Sequence, residues 1–348
     1  MKTRGGKTIA WEKRLRGVDH AILPPSTTRP NPVVAGNRLF AAIFAPGSIC
    51  AVNRRTGELL WQTPLDTYAG SAVLPVNGTL FAVSCRTLYA LAAENGAIRW
   101  EFTPHLDAGE WIYSQPAFGH GRVFIGVRCG DFYCLDASSG RILWRRTTSR
   151  DSNNQVNATA LVAGSRVMTA NNAGAVICYD ISQGKTLWRR TVDGPCTSEL
   201  LRAGSNVIIT SDSVYALDMR TGTVRFELGF SARAFNAATI ARRRVVAVLG
   251  PDFRLAGQTG PSNYEIVLID GGREIARRPL RGLSAVRTCT DTGLVYCINA
   301  WSSEVIDPAT AKALRSSRRR IALPDVSGGV LYTLTDNGLL SAEPSVVS

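Results

Sequence analysis

The chain has 348 residues, of which 45% are apolar and 19% charged, a composition that buries a large core and excludes an intrinsically disordered chain. No window approaches the ~18 continuous apolar residues of a membrane helix, so we expect no membrane insertion. The formal net charge is +13, and only five of the 40 basic residues are lysines. An arginine-rich surface favours nucleic acid, anionic lipid or acidic protein, unless the arginines are solvated surface positions.

The first 17 residues are charged at both ends and have no apolar stretch of about 7 to 15 residues. They therefore resemble neither a secretory signal nor a lipoprotein leader, and we expect a cytoplasmic protein. Eight cysteines are spread along the chain. In a reducing compartment this predicts free thiols rather than a disulfide framework.

One phrase recurs along the chain. It reads NRRTGELLW (53–61), AAENGAIRW (92–100), DASSGRILW (136–144), DISQGKTLW (180–188) and DMRTGTVRF (218–226). Its glycines are separated by 39, 44, 44 and 38 residues. A period of about 40 with short apolar runs and no helical periodicity predicts four-stranded propeller blades.

Each unit contains four predicted strands, of which the third unit is the clearest example. There SQPAF (114–118), RVFIGV (122–127), DFYCLD (131–136) and RILWRRT (141–147) are strands, and ASSG is the turn before the fourth. The turn glycine supplies a positive φ, and the preceding Asp hydrogen-bonds the turn amides. We expect the tryptophan of each fourth strand to fill the wedge between blades.

Eight fourth strands are predicted, around Trp11, Trp61, Trp100, Trp144, Trp188, Phe226, Ile275 and Leu314. Nothing before the strand at about 6–15 completes its own blade, so we expect it to join the last blade with about 319–342. The prediction is an all-β, eight-bladed propeller of four-stranded antiparallel blades, closed by the N-terminal strand, with residues 1–348 as one domain and a monomer. Seven blades is the alternative if 264–320 is misread.

The Asp-x-x-x-Gly-x-x-x-Trp units at 136–144 and 180–188 resemble the PQQ-like repeat of the quinoprotein alcohol dehydrogenase-like propellers. The resemblance implies the architecture and leaves activity open, because this fold hosts both dehydrogenases and non-catalytic binding proteins. The dehydrogenases hold pyrroloquinoline quinone with calcium beside two adjacent cysteines, and this sequence has no Cys-Cys pair. The chain is more similar to the non-catalytic members, and we expect no cofactor and no metal site.

The segments that enter the innermost strands share one face with the loops between second and third strands, opposite the Asp-x-x-x-Gly turns. We call this the axial face. Its candidate ligand-binding residues are polar, aromatic or cationic: Arg29, Tyr68, Trp111, Tyr113, Gln115, Asn154, Asn157, Glu199, Arg233, Asn236 and Arg287. Glu199 and Asn236 have the ligand types of a quinoprotein calcium site, with Arg233 or Arg287 for a quinone carboxylate. No catalytic residue is assigned, and Tyr113 and Glu199 are the candidates.

Two further features suggest rim positions. The segment 249–265 lengthens one connection between second and third strands, and we expect it to overhang the axial face with Asp252, Arg254 and Tyr264. Cys85 and Cys129 each lie eleven residues before their turn glycine, which predicts matching rim positions and a structural role.

Three function hypotheses follow. The first is a binding scaffold that presents the axial face to a protein or small organic ligand. The second is an enzyme that uses the axial pocket, either a quinoprotein-type oxidoreductase or a lyase or cyclase. The third, an anionic polymer partner, is disfavoured because Arg145-Arg146, Arg189-Arg190, Arg277-Arg278 and Arg318-Arg319-Arg320 fall in or next to outermost strands, where charge deters aggregation.

Overall fold

The structure of the protein is a computed structural model. It describes residues 2–4, 7–9, 11–15, 32–43, 47–69, 73–106, 111–149, 154–229, 233–251, 263–281, 285–288, 293–298, 303–317, 325–327, 330–334 and 339–344. None of these residues belongs to a helix long and apolar enough to span a membrane.

The described strands form eight four-stranded antiparallel sheets and one short hairpin. The hairpin is β1 (Lys2–Arg4) and β2 (Lys7–Ile9), and the strand after it is β3 (Trp11–Arg14). Blade 1 is β4 (Val33–Ala35), β5 (Arg38–Ile43), β6 (Ser48–Asn53) and β7 (Leu59–Pro64); blade 2 is β8 (Leu74–Val76), β9 (Thr79–Val83), β10 (Leu88–Ala92) and β11 (Ile98–Phe102). Blade 3 is β12 (Ala117–Gly119), β13 (Arg122–Gly126), β14 (Asp131–Asp136) and β15 (Ile142–Thr147); blade 4 is β16 (Leu161–Ala163), β17 (Arg166–Ala170), β18 (Ala175–Asp180) and β19 (Thr186–Thr191).

The second half of the chain continues the pattern. Blade 5 is β20 (Leu201–Ala203), β21 (Asn206–Thr210), β22 (Ser213–Asp218) and β23 (Val224–Gly229); blade 6 is β24 (Arg233–Ala241), β25 (Arg244–Pro251), β26 (Asn263–Asp270) and β27 (Arg273–Arg281). Blade 7 is β28 (Ala285–Thr288), β29 (Val295–Ile298), β30 (Ser303–Ile306) and β31 (Ala313–Ser317); blade 8 is β32 (Asp325–Ser327), β33 (Val330–Leu334), β34 (Leu339–Pro344) and β3.

The N-terminal strand closes the ring. β3 pairs antiparallel with β34, with Trp11 opposite Ala342 and Arg14 opposite Leu339. One apolar cluster joins blade 8 to blade 1 through Trp11 and Tyr332 on one side and Leu39 on the other. The predicted eight-bladed, N-terminally closed propeller is therefore confirmed, and the seven-bladed alternative is wrong.

The core lies between blades rather than inside any one of them. In blade 3 the second and third strands, β13 and β14, are buried on both faces. Phe124 on one face packs with blade 4, whereas Ile125 on the other packs with blade 2. Each blade therefore needs both neighbours to bury its apolar side chains.

The turn between third and fourth strands has the predicted chemistry. In blade 3 the Asp136 carboxylate accepts hydrogen bonds from the backbone N–H of Ser138 (3.1 Å) and Ser139 (3.0 Å). The hydroxyls of Ser138 and Ser139, with these amides, hold the pKa of Asp136 at about 2. Gly140 closes the turn with a φ of +71°, a conformation that favours glycine.

Each tryptophan of a fourth strand packs on the turn glycine of the following blade. The Trp100 indole donates a hydrogen bond to the Ala137 carbonyl at 3.0 Å, and a Cβ at Gly140 would lie 2.7 Å from Trp100 Cε3. The same contact pairs Trp11 with Gly57, Trp61 with Gly96, Trp144 with Gly184 and Trp188 with Gly222. Motif glycine and motif tryptophan are thus partners across blades.

Arginines of the outer strands also bind the next blade. Arg146 donates from Nε to the Gly184 carbonyl at 2.8 Å and from Nη2 to the Gln183 carbonyl at 2.6 Å. Arg190 donates in the same way to the Gly222 carbonyl at 2.9 Å. Much of the predicted arginine belt therefore stabilises the ring, while Arg318-Arg319-Arg320 lie outside the described residues.

Blade 6 differs from the sequence prediction. Its strands are longer, so that β25 runs to Pro251 and β26 begins at Asn263. Tyr264 is buried in the cluster between blades 6 and 7 and does not overhang the axial face. That prediction was wrong because both ends of the predicted insertion continue the sheet; Asp252 and Arg254 lie outside the described residues.

Candidate functional site

The axial face is held together by hydrogen bonds that run from blade to blade. The Cys85 amide donates to the Tyr68 carbonyl at 2.9 Å, and the Ile112 amide donates to the Cys85 carbonyl at 2.8 Å. The Ser114 hydroxyl then binds both the amide (3.0 Å) and the carbonyl (2.9 Å) of Gly126. These bonds link the entry segments of blades 2 and 3 to the loops beside them.

The same chain of bonds continues through blades 3, 4 and 5. The Val156 amide donates to the Val127 carbonyl at 3.1 Å, and the Asn172 amide donates to the Gln155 carbonyl at 2.9 Å. The Cys196 backbone amide then donates to the Asn171 backbone carbonyl at 3.2 Å. Loops without regular secondary structure are thus fixed relative to one another, as a preformed binding surface requires.

Aromatic side chains form the exposed part of this face. Tyr68 is 47% exposed and Trp111 is 36% exposed. The ring centroids of Trp111 and Tyr113 are 5.9 Å apart, with the planes tilted by 51°. Burial raises the pKa of Tyr113, and the nearby Arg128 guanidinium opposes this shift. Tyr113 is therefore a neutral hydrogen-bonding group at physiological pH.

The predicted amides divide into structural and open positions. Asn154 donates from Nδ2 to the Cys129 carbonyl at 3.1 Å and the Ser149 carbonyl at 3.0 Å, so it serves the loop itself. The Asn157 Nδ2 donates weakly to Asn172 Oδ1 at 3.5 Å. The buried Oδ1 of Asn157 has no hydrogen-bond partner among the described residues. The Gln115 amide donates to Thr159 Oγ1 at 3.3 Å, which fixes its backbone.

The remaining predicted residues are described less fully. Glu199 is exposed, in the coil that enters blade 5. Arg233 and Asn236 lie in β24 and Arg287 lies in β28, where the backbone alone is described; Arg29 lies outside the described residues. Within the described part of the chain, no three His, Cys, Asp or Glu side chains are grouped as a metal site would need.

The two rim cysteines do not match as the spacing predicted. The Cys85 carbonyl accepts from the next entry segment, a role that Val127 fills in blade 3. Cys85 is buried, whereas Cys129 is half-buried and contacts the His105 carbonyl and Asp131 Oδ2 through its sulfur. The two environments differ because the loop of blade 2, closed by the backbone bond from Ser84 to Thr87, is one residue shorter than that of blade 3, closed by the bond from Val127 to Asp131. All seven described cysteines are free.

Arg128 and Asn172 are axial-face residues that the sequence analysis missed. Both follow the last residue of a second strand by two positions, in the short loops that face the entry segments. Each lies twelve residues before its turn glycine, so the repeat spacing contained the signal.

The sequence profile of the family described as outer membrane protein assembly factor BamB matches residues 3–228. No curated protein matches the sequence. The chain is similar in structure to BamB from Moraxella catarrhalis, with a TM-score of 0.72 and 16% identity, over 98% of both chains. The computationally designed protein Ika8 aligns with a TM-score of 0.75 and 16% identity, over 95% of this chain and 98% of its own.

A quinohemoprotein alcohol dehydrogenase from Comamonas testosteroni also aligns, with a TM-score of 0.74 and 12% identity, over 96% of this chain and 76% of that one. These identities are low, so the structural likenesses show the fold alone. The profile covers more than half of the chain. The chain is therefore a PQQ-like repeat β-propeller and belongs to the family of outer membrane protein assembly factor BamB.

Proposed function

We propose that this protein is a non-catalytic scaffold that binds a protein partner through the axial face. Membership in a family described as an assembly factor supports a protein partner. A binding role needs no catalytic group. The side chains that characterise the axial face are aromatic rings and amides, which suit binding. Cytoplasmic localisation and a monomeric state remain predictions from the sequence.

The observation that carries the proposal is the exposure of Tyr68 and Trp111 on hydrogen-bonded loops. Large aromatic side chains are enriched at the energetic centres of protein interfaces because they bury much apolar area with few rotatable bonds. The backbone bonds through Cys85 connect the segments that carry the two residues. A partner therefore meets a surface that is already ordered, which lowers the entropic cost of association.

Substitution of the two rings tests the proposal. The double variant Tyr68→Ser/Trp111→Ser is compared with Ile98→Ser/Ile142→Ser, which removes two side chains that are each 47% exposed on outer strands. Tagged proteins capture partners from native lysate, and the recovered protein is then titrated in purified form. We expect the axial variant to weaken binding by at least about 30-fold, from about 2 kcal/mol for loss of such residues, and the control to bind like wild type. Equal affinity of all three proteins would refute the proposal.

An enzyme that uses the axial pocket is the alternative. The fold likeness to quinohemoprotein alcohol dehydrogenase is its support, and Glu199 is an exposed carboxylate of this face. Titration with pyrroloquinoline quinone and calcium, followed by absorbance and thermal shift, separates the two. Saturable quinone binding that Glu199→Gln abolishes would favour the oxidoreductase over the scaffold.

A further inference from the structure

A cavity lies at the seam where the ring closes, on the face of the Asp-x-x-x-Gly turns. We call it the seam pocket. Its volume is about 610 Å³, and it is lined by Trp11, Gly36, Asn37, Arg54, Arg55, Val330, Tyr332 and Ala342. Blade 8 supplies Trp11, Val330, Tyr332 and Ala342, and blade 1 supplies the rest. The volume lies within the ~300–1,000 Å³ of typical small-ligand sites.

Tyr332 and Arg54 of the pocket occupy positions that the other blades fill mostly with apolar residues. Tyr332 lies opposite Ala342, which in turn lies opposite Trp11. The matching residues are Phe40, Phe81 and Phe124 in blades 1, 2 and 3 and Tyr296 in blade 7. Arg54 supplies the carbonyl that accepts the Trp11 indole N–H at 2.9 Å. At the other blade interfaces that carbonyl belongs to Ala93, Ala137, Ile181 and Met219.

Arg54 and Tyr332 contact each other across the seam. Arg54 donates from Nε to the Tyr332 hydroxyl at 2.8 Å, and its guanidinium carbon lies 5.6 Å from the centre of the Tyr332 ring. Arg54 therefore brings a guanidinium to the Tyr332 hydroxyl, at a turn position where blades 2 to 5 have Ala93, Ala137, Ile181 and Met219. Trp11 keeps the turn contact of the repeat, because it packs on Gly57 as the other tryptophans pack on their turn glycines.

The lining also has a consistent charge. Among the described lining residues, Arg54 and Arg55 are the charged ones, and none is acidic. Val330, Ala342 and the Trp11 ring supply an apolar wall beside these cations. Arginine binds carboxylates through paired N–H···O bonds, and an apolar wall suits the organic body attached to such a group.

We propose that the seam pocket binds an organic carboxylate with a small apolar body. Arg54 and Arg55 bind the carboxylate, and Tyr332 is a positioning residue that holds the Arg54 guanidinium. The site lies on the opposite face from the proposed scaffold surface and is independent of it. The carboxylate belongs either to a free small molecule or to the C-terminal end of a peptide.

Calorimetric titration of the full chain with benzoate, and with benzamide as the uncharged analogue, tests the proposal. We expect saturable benzoate binding, at least about tenfold tighter than benzamide. A short peptide with a free C-terminus, compared with its amidated form, distinguishes the two sources. Absence of saturable binding by both benzoate and the free-acid peptide overturns the proposal.

Three variants locate the site. Arg55→Gln should weaken binding at least about fivefold, whereas Arg220→Gln, the matching turn residue of blade 5, should leave it unchanged. Tyr332→Phe installs the residue of blades 1 to 3 and so keeps the fold; we expect it to weaken benzoate binding without lowering the melting temperature by more than a few degrees. Equal weakening by Arg55→Gln and Arg220→Gln would show general charge attraction and refute the site.

Discussion

The contact between each tryptophan and the next turn glycine predicts a large loss of stability for Gly140→Ala. At a φ of +71° an L-residue costs about 1–2 kcal/mol. The added Cβ would also lie 2.7 Å from Trp100 Cε3 and 2.8 Å from Cδ2. The indole must therefore move, which costs about 1–3 kcal/mol for overpacking and further weakens its bond to the Ala137 carbonyl.

A matched control separates backbone strain from the tryptophan contact. Gly121 has a φ of +68°, and a Cβ there meets nothing within 4 Å. Gly121→Ala should therefore lose about 1–2 kcal/mol of unfolding free energy from backbone strain alone, and Gly140→Ala should lose about 2–4 kcal/mol more. Urea titrations followed by circular dichroism measure both values. If the two variants lose the same free energy within about 0.5 kcal/mol, the inter-blade contact is not a source of stability.

Three other consequences follow from the same contacts. Arg146→Gln removes the two bonds to the blade 4 turn and should lower the unfolding free energy by about 1 kcal/mol. Urea titration of Arg141→Gln, an exposed side chain of the blade 3 turn, should show a smaller loss. The pKa of Asp136 is about 2 in the folded chain and about 3.9 when unfolded, so its contribution to stability is present above pH ~4 and is lost as the pH falls through ~2. The melting temperature of Asp136→Asn should therefore fall less steeply over this range than that of wild type. Parallel curves would count against a stabilising role of the turn hydrogen bonds. Burial raises the pKa of the Cys134 and Cys178 thiols to about 12. Iodoacetamide at pH 8 should therefore modify the half-buried Cys129 well before either thiol, as measured by mass spectrometry of the peptides. Faster labelling of Cys134 would contradict this packing.

The strands of blade 3 illustrate how far local pattern is informative. The predicted third strand, 131–136, coincides with β14, and the predicted fourth strand differs from β15 by one residue. The predicted first strand, 114–118, instead begins at Ala117, because Ser114 bonds Gly126 within the axial face. Short apolar runs and turn chemistry are local, so they predict strands well. An entry segment that bonds the end of a strand across the axial face leaves no periodic signal.

The location of several candidate residues was predicted from the sequence. Tyr68, Trp111 and Glu199 lie exposed on the axial face, as the alternation of loops and strands implied. The hydrogen-bond partners of an amide side chain depend on its neighbours in the fold. The sequence alone therefore did not show that Asn154 donates to the Cys129 and Ser149 carbonyls and so stabilises the loop. Repeat spacing also failed for Cys85, since a shortened loop shifts the register without changing the motif.

By itself, the sequence determined the blade repeat, the number of blades and the strand that closes the ring, because each depends on short-range spacing that recurs about every 40 residues. The tertiary structure alone decided what meets between blades. Trp100 packs on Gly140 of the following blade, and Arg54 hydrogen-bonds Tyr332, from which it is separated by 278 residues in the chain. Such pairs are created by ring closure and blade packing, which no local pattern contains, and for that reason the seam pocket is visible only in the folded chain.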